Sequence, residues 1–266
     1  MTRLILVLVL ILPSLAGAAK LKPKTERAFT DYVRAAEAEI EQRVTGERKF
    51  LWIDEDAARA AKVRAGEVLV GTTASQSMTE VPGGLVHDWT GAAFIKGATL
   101  NQVLDLIQDY DHHSRYYAPE VVESKLIERD GNHFKIYYRL LKKKVVTVVL
   151  NTEHDVEYIP LDEHRVYSRS YATRISELKN AGTAKEKELA DGTGGGYLWR
   201  LNSYWRFEER DGGVYVEMRS ISLSRGIPLG LGWIVKPIIR DMPRVSMTAT
   251  LAHTREALRI RLAKTD

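Results

Sequence analysis

Tyr197-Leu-Trp-Arg-Leu-Asn-Ser-Tyr-Trp-Arg-Phe-Glu-Glu-Arg-Asp-Gly-Gly-Val-Tyr-Val-Glu-Met-Arg-Ser-Ile-Ser-Leu-Ser-Arg225 is the stretch on which the fold turns. It reads as two strands, Tyr197–Glu208 and Val214–Arg225, around a turn at Arg210-Asp211-Gly212-Gly213. Acidic residue plus glycine between alternating apolar rows is a hairpin signal. Side chains alternate across a strand. Tyr197, Trp199, Leu201, Ser203, Trp205 and Phe207 therefore share one face, and Arg200, Asn202, Arg206 and Glu208 the other. Val214, Val216, Met218, Ser220 and Ser222 share a face of the second strand.

Upstream, the same grammar repeats. Glu120–Arg129 and His133–Lys142 flank Asp130-Gly131-Asn132, and Phe134, Ile136, Tyr138 and Leu140 line one face. Val145–Ile159 is rich in β-branched residues and turns at Pro160-Leu161-Asp162 into Arg165–Leu178. Residues 179–196 are polar and glycine-ended, which predicts a long mobile loop. Residues 85–95 make a first strand, Thr99 caps a helix from Leu100 to about Tyr110, and a short helical turn follows to Tyr117. Downstream, Leu231–Ala263 is helical, kinked or restarted at Pro237 and Pro243, with Met247, Leu251, Thr254, Leu258 and Leu262 on its inner face. Consecutive hairpins imply an antiparallel sheet whose apolar side needs a helix to cover it, an α+β architecture.

Residues 19–82 read as a helical N-terminal extension. Phe29, Val33, Ala36 and Ile40 form one face of a helix over 25–44, with Thr25 as its N-cap. Phe50-Leu51-Trp52-Ile53 is an apolar plug, Asp54 caps a second helix over 55–65, and 71–84 is a polar loop. Ahead of this, residues 1–18 carry Arg3, an apolar run from Leu4 to Leu12, Pro13, and the small residues Ala16-Gly17-Ala18, the pattern of a cleaved secretory signal peptide. The apolar run is too short for a membrane span, which needs roughly 20 residues. The expected location is secreted, and periplasmic if the cell has two membranes.

The 266 residues hold 39 Lys+Arg, 35 Asp+Glu and no cysteine. Disulfide scaffolds, thiolate metal sites and cysteine nucleophiles are excluded. The net charge of +4 is mild and interleaved, so no nucleic-acid partner is expected.

Three segments resemble the START-like (SRPBCC, helix-grip) superfamily, which includes polyketide cyclase-like and coenzyme Q-binding START-type proteins. Asp109-Tyr110-Asp111 through Tyr116-Tyr117-Ala118-Pro119-Glu120-Val121 looks like the family's helix exit into its second strand. Tyr197-x-Trp199 and Tyr204-Trp205-x-Phe207 look like its aromatic late strand, and Gly226-Ile227-Pro228 with Trp233, Pro237 and Pro243 like the lead into the gripping helix. The resemblance covers about residues 84–262, leaving 83–266 as the START-like domain. It implies a curved sheet around the C-terminal helix and a cavity for a lipid or other apolar molecule.

The residues themselves leave a cavity and a filled core both open. Phe134, Ile136, Tyr138, Tyr197, Trp199, Leu201, Ser203, Trp205, Met218, Ser220, Met247 and Leu251 are the candidate ligand-binding wall. Hydroxyls mixed among large apolar groups are the usual make-up of a pocket. The leading expectation is binding without chemistry. The alternatives are a cyclase- or hydratase-like enzyme using Tyr138, His133 or Asp109, and an interaction protein with a filled core. Neither a catalytic constellation nor a cofactor is expected: no Gly-x-Ser-x-Gly elbow or P-loop occurs. Asp109, Asp111, His112 and His113 are the densest metal-capable group, but lie at a helix end where such residues are ordinary. Glu153-His154-Asp155 points to alternate faces. Arg139, Arg165, Arg169, Arg174, Arg200, Arg206 and Arg219 read as solvated outer-face residues paired with glutamates, with one or two of them free to hold an anionic head group. Lys142-Lys143-Lys144 reads first as a solvated basic hairpin turn, with transient contact with an anionic membrane as the alternative.

Overall fold

The computed structural model describes residues 19–74, 76–143, 147–227 and 232–263, with side chains of 232–241 left aside. The leader, Lys144 and Pro228 lie outside the described residues.

Helix α1 (Pro23–Val44) buries the predicted stripe Phe29, Val33, Ala36 and Ile40. It starts earlier than expected, at a first-turn proline, where the missing N–H has no partner to lose. Thr25 is therefore inside the helix, and its hydroxyl donates to the Pro82 carbonyl at 2.6 Å. The plug is buried, and Asp56, not Asp54, caps α2 (Ala57–Arg64) by accepting from the Arg59 N–H at 2.9 Å. Asp54 instead accepts from Arg210 at 2.6 Å. The expected polar loop contains strand β2 (Met78–Val81), and β1 (Leu69–Gly71) ends at its first residue; both pair with β3 (Gly84–Lys96). They are edge pieces too short for a sequence pattern.

A capping box of Thr99 and Gln102 opens α3 (Leu100–Ile107). After α4 (His113–Tyr116) come β4 (Val121–Asp130), β5 (His133–Lys143), β6 (Thr147–Pro160), β7 (Arg165–Lys179), the two-residue β8 (Lys187–Glu188), β9 (Arg200–Arg210) and β10 (Gly213–Arg225). The main strand order is β1-β3-β10-β9-β7-β6-β5-β4, antiparallel throughout. Asp211 and Gly212 form the two-residue β9–β10 turn with φ of 58° and 73°, the doubly left-handed backbone of a type I′ hairpin. The 179–196 segment is tied down rather than free. Glu186 makes a bidentate pair with Arg139, Asp191 accepts from the Ile175 N–H, and the Gly192 and Gly194 carbonyls accept from the Leu21 and Ala19 N–H groups.

Helix α5 (Gly232–Leu262) is one continuous helix, without the expected restart at Pro237 or Pro243. Met247, Leu251 and Leu258 bury themselves in the core between α5, α3 and the sheet. The sheet curls around this helix, the START-like helix-grip arrangement.

Strand β3 is buried at twelve of its thirteen positions, because both faces of the central sheet are covered. Val214, Val216 and Met218 of β10 face α5, while Ile221 and Leu223 pack under α1, and Tyr215 under the plug. The expectation of solvated arginines on that second face is thus corrected at Arg206 and Arg219, 1% and 3% exposed. Arg206 pairs with Glu217, and Arg219 with Asp88 and Glu39. The N-terminal extension turns an outer face into an interior.

Gly91 shows how tightly α5 is gripped. A Cβ there would sit 2.9 Å from Leu251 Cδ1, 2.9 Å from Val70 Cγ2 and 3.0 Å from the Leu69 carbonyl. Gly91→Val is expected to cost roughly 1–3 kcal/mol by overpacking. A denaturant midpoint equal to that of the native chain would refute this.

Candidate functional site: a cavity between sheet and helix

The curl leaves a cavity of about 500 Å³ between the inner face of the sheet and α5. Its walls are mainly apolar: Ile136 on β5, Leu150 and Val156 on β6, Leu201 and Trp205 on β9, Met218 on β10, and Met242 and Met247 on α5. Strand register draws a row of hydroxyls across the sheet. Ser170 on β7 is opposite Ser203 on β9, and Ser203 is opposite Ser220 on β10, all three on the wall. Small side chains at those points leave the space that larger ones would fill.

Nine of the twelve residues singled out from the sequence lie on this wall: Ile136, Tyr138, Tyr197, Leu201, Ser203, Trp205, Met218, Ser220 and Met247. Phe134, Trp199 and Leu251 do not. Phe134 is core, wedged between the Tyr110 and Tyr158 rings at 5.5 and 5.4 Å. Leu251 fills the notch over Gly91. Trp199 packs on the opposite side of the sheet with Phe29, Val33 and Leu223. Alternation puts it on the inner face, but β9 begins only at Arg200, so the rule has no purchase there.

The wall also carries histidines that sequence patterning does not single out as wall groups: His87 on β3, His113 on α4, His154 on β6 and His253 on α5. Alternation along β6 holds the signal for His154. Val148, Leu150, Thr152, His154, Val156 and Tyr158 are its buried row. His113 is a neighbour in sequence of Asp109, Asp111 and His112, yet it does not join them. Asp109 accepts from His112 at 2.6 Å and from the Tyr116 hydroxyl at 2.7 Å, and Asp111 accepts from the Leu126 N–H at 2.9 Å. Among the described residues no three metal-capable His, Asp or Glu side chains converge.

His113 turns inward. Its Nε2 lies 3.0 Å from the Ile107 carbonyl oxygen and its Nδ1 lies 2.7 Å from the Tyr138 hydroxyl. The two rings stack at 5.8 Å. His154 approaches the Thr152 hydroxyl at 3.0 Å and His87 the Ser224 hydroxyl at 3.0 Å. Burial lowers His87, His113 and His154 to about 4, so all three are neutral at pH 7. Burial raises the Tyr138 phenol well above its ordinary range. Lys142 lines the cavity and donates to the Ser246 hydroxyl at 2.9 Å, with burial lowering its pKa. It is therefore not part of an outward basic tip, whereas Lys143 is exposed.

The fold is START-like, with a mostly apolar chamber, open on part of its boundary, under the gripping helix. No family model and no curated protein matches this chain. Among solved structures it is similar to a STAR-related lipid transfer protein from Xanthomonas axonopodis: 16% identity, 69% of this chain and 99% of that chain, TM-score 0.46. It is also similar to a protein from Thermus thermophilus (14% identity, 66% and 98%, TM-score 0.46). A third is an aromatase/cyclase from a Streptomyces species (10% identity, 66% and 96%, TM-score 0.44).

Proposed function

We propose that this chain is an exported carrier that binds a lipid or another apolar small molecule, without chemistry, in the cavity under α5. The observation that carries this is the cavity itself: about 500 Å³, inside the range of small-molecule sites, with apolar walls and a few placed hydroxyls. An apolar wall left to water costs stability, and an apolar ligand that covers it offsets that cost. Export rests on the leader pattern at residues 1–18. Delivery at an anionic membrane would use the exposed Lys143 at the β5–β6 tip.

A cyclase-like reading has one observation in its favour, the ionisable His113–Tyr138 pair on the wall. The pKa directions weigh against it. A general acid or base works best with a pKa near the operating pH. His113 at about 4 and Tyr138 raised far above 10 sit on either side of that value.

Native mass spectrometry of the purified protein tests the carrier reading. An apolar molecule is expected to co-purify, and Ser203→Phe, which fills the middle of the hydroxyl row, is expected to weaken its binding by about tenfold or more. No bound species, together with no binding across a panel of lipids and quinones, would sink the proposal. N-terminal sequencing of the exported form checks the leader; a retained residue 1 counts against cleavage.

A further inference from the structure

The proton directions around Tyr138 define what the ligand must bring. His113 is buried, and its Nε2 lies 3.0 Å from the Ile107 carbonyl oxygen, with the Leu106 backbone as a further acceptor. A carbonyl only accepts, so Nε2 carries the proton and donates. At about 4, the imidazole holds a single proton at neutral pH, and Nδ1 is then a bare lone pair. The Tyr138 hydroxyl at 2.7 Å must donate to it. Its only hydrogen is thereby committed. No described residue donates to the Tyr138 oxygen, which belongs to a side chain on the cavity wall. What remains on that oxygen is acceptor capacity.

We infer that the cavity selects an apolar molecule bearing a hydrogen-bond donor, a hydroxyl in the simplest case, which donates to Tyr138. The inference rests on the carrier reading and deepens it by naming a chemical class. A ligand whose oxygen can only accept, such as an ether, an ester or a ketone, would bring two acceptors face to face here. A buried acceptor without its donor loses the hydrogen bond it had in water. Ser203 and Ser220, able to donate or accept, tolerate either kind of oxygen and do not discriminate. The chain Ile107–His113–Tyr138 does, because the backbone carbonyl fixes its direction.

The test is a matched pair, 1-dodecanol and its methyl ether, competed for the delipidated full-length protein and read by native mass spectrometry. The native chain is expected to prefer the alcohol about tenfold. Tyr138→Phe removes one oxygen and keeps the ring, and the preference is expected to fall to about one with ether binding retained. Equal binding of the two by the native chain overturns the inference while leaving the carrier reading standing. So does a preference for the alcohol that survives in Tyr138→Phe. If neither compound nor any of the lipid and quinone panel binds, the carrier reading fails and the inference fails with it. Equal binding by the native chain overturns the inference even if the variant does not fold.

Discussion

Glu217→Ala is expected to lower the stability of the folded chain by roughly 3–5 kcal/mol, the cost of stripping one partner from a buried ion pair. Glu217 is 0% exposed and Arg206 is 1% exposed. One carboxylate oxygen of Glu217 accepts from Arg206 Nε at 3.1 Å, from its Nη2, and from the Trp52 N–H at 3.0 Å. Alanine leaves a guanidinium with no counter-charge of its own beneath the plug, close enough to Arg43 for the two cations to repel. It also frees the Trp52 N–H, one of the bonds that tie the N-terminal extension to the sheet. Two readouts follow. The denaturant midpoint drops, and amide exchange at residues 50–53 speeds up before the rest of the sheet opens. The double variant Arg206→Met with Glu217→Leu is expected to recover most of the loss, since it removes both charges and keeps apolar bulk. A loss under about 1 kcal/mol for Glu217→Ala would show that the pair is solvated in solution.

That pair also marks where the sequence stops being informative. Alternation along β9 and β10 correctly separates the two faces, because a pleated strand has no other way to place side chains. It does not say what covers each face. Arg206, Glu217 and Arg219 are polar by type, which points to solvent, yet α1 and the plug lie over them. Only the tertiary placement of an extension more than 100 residues away in the chain reveals this. The helix stripe of α1 is legible because its period is local. The strands β1 and β2 are not, because three or four residues carry no period. The cavity wall is legible over most of β5, β9 and β10; reading fails at Phe134, wedged between two tyrosine rings on β5, and at Trp199, one residue before β9 begins. His113 is visible as a residue but not as a wall group. Its role depends on a carbonyl six residues back and a hydroxyl on strand β5.

Acid is expected to unfold the chain from the cavity outward, between pH 6.5 and about 4. Burial holds His87, His113 and His154 at about 4 in the folded state, against an ordinary 6.5. Between those values the unfolded chain binds protons that the folded chain refuses. Stability rises with pH wherever the unfolded state binds more protons, so the contribution is complete above pH 6.5 and is lost as pH falls. At 1.36 kcal/mol per pH unit the loss approaches roughly 3 kcal/mol per histidine near pH 4. Two half-buried carboxyls act in the opposite direction. Burial raises Glu177 and Glu208, so the folded chain holds their protons the more firmly and gains as pH falls. Against three imidazoles at most 6% exposed, they temper the slope without reversing it. A domain's whole stability is about 5–15 kcal/mol, so the midpoint in urea should fall steeply over this window. His87→Gln keeps a polar group beside Ser224 and cannot titrate, and it is expected to remove about a third of the slope. A flat midpoint from pH 7 to 4.5 would mean that the imidazoles are hydrated in solution. The location of the three groups gives the effect its meaning. They sit on β3, α4 and β6, all on the cavity wall, so the apolar chamber that would hold a ligand is also the part of the core that protons reach first.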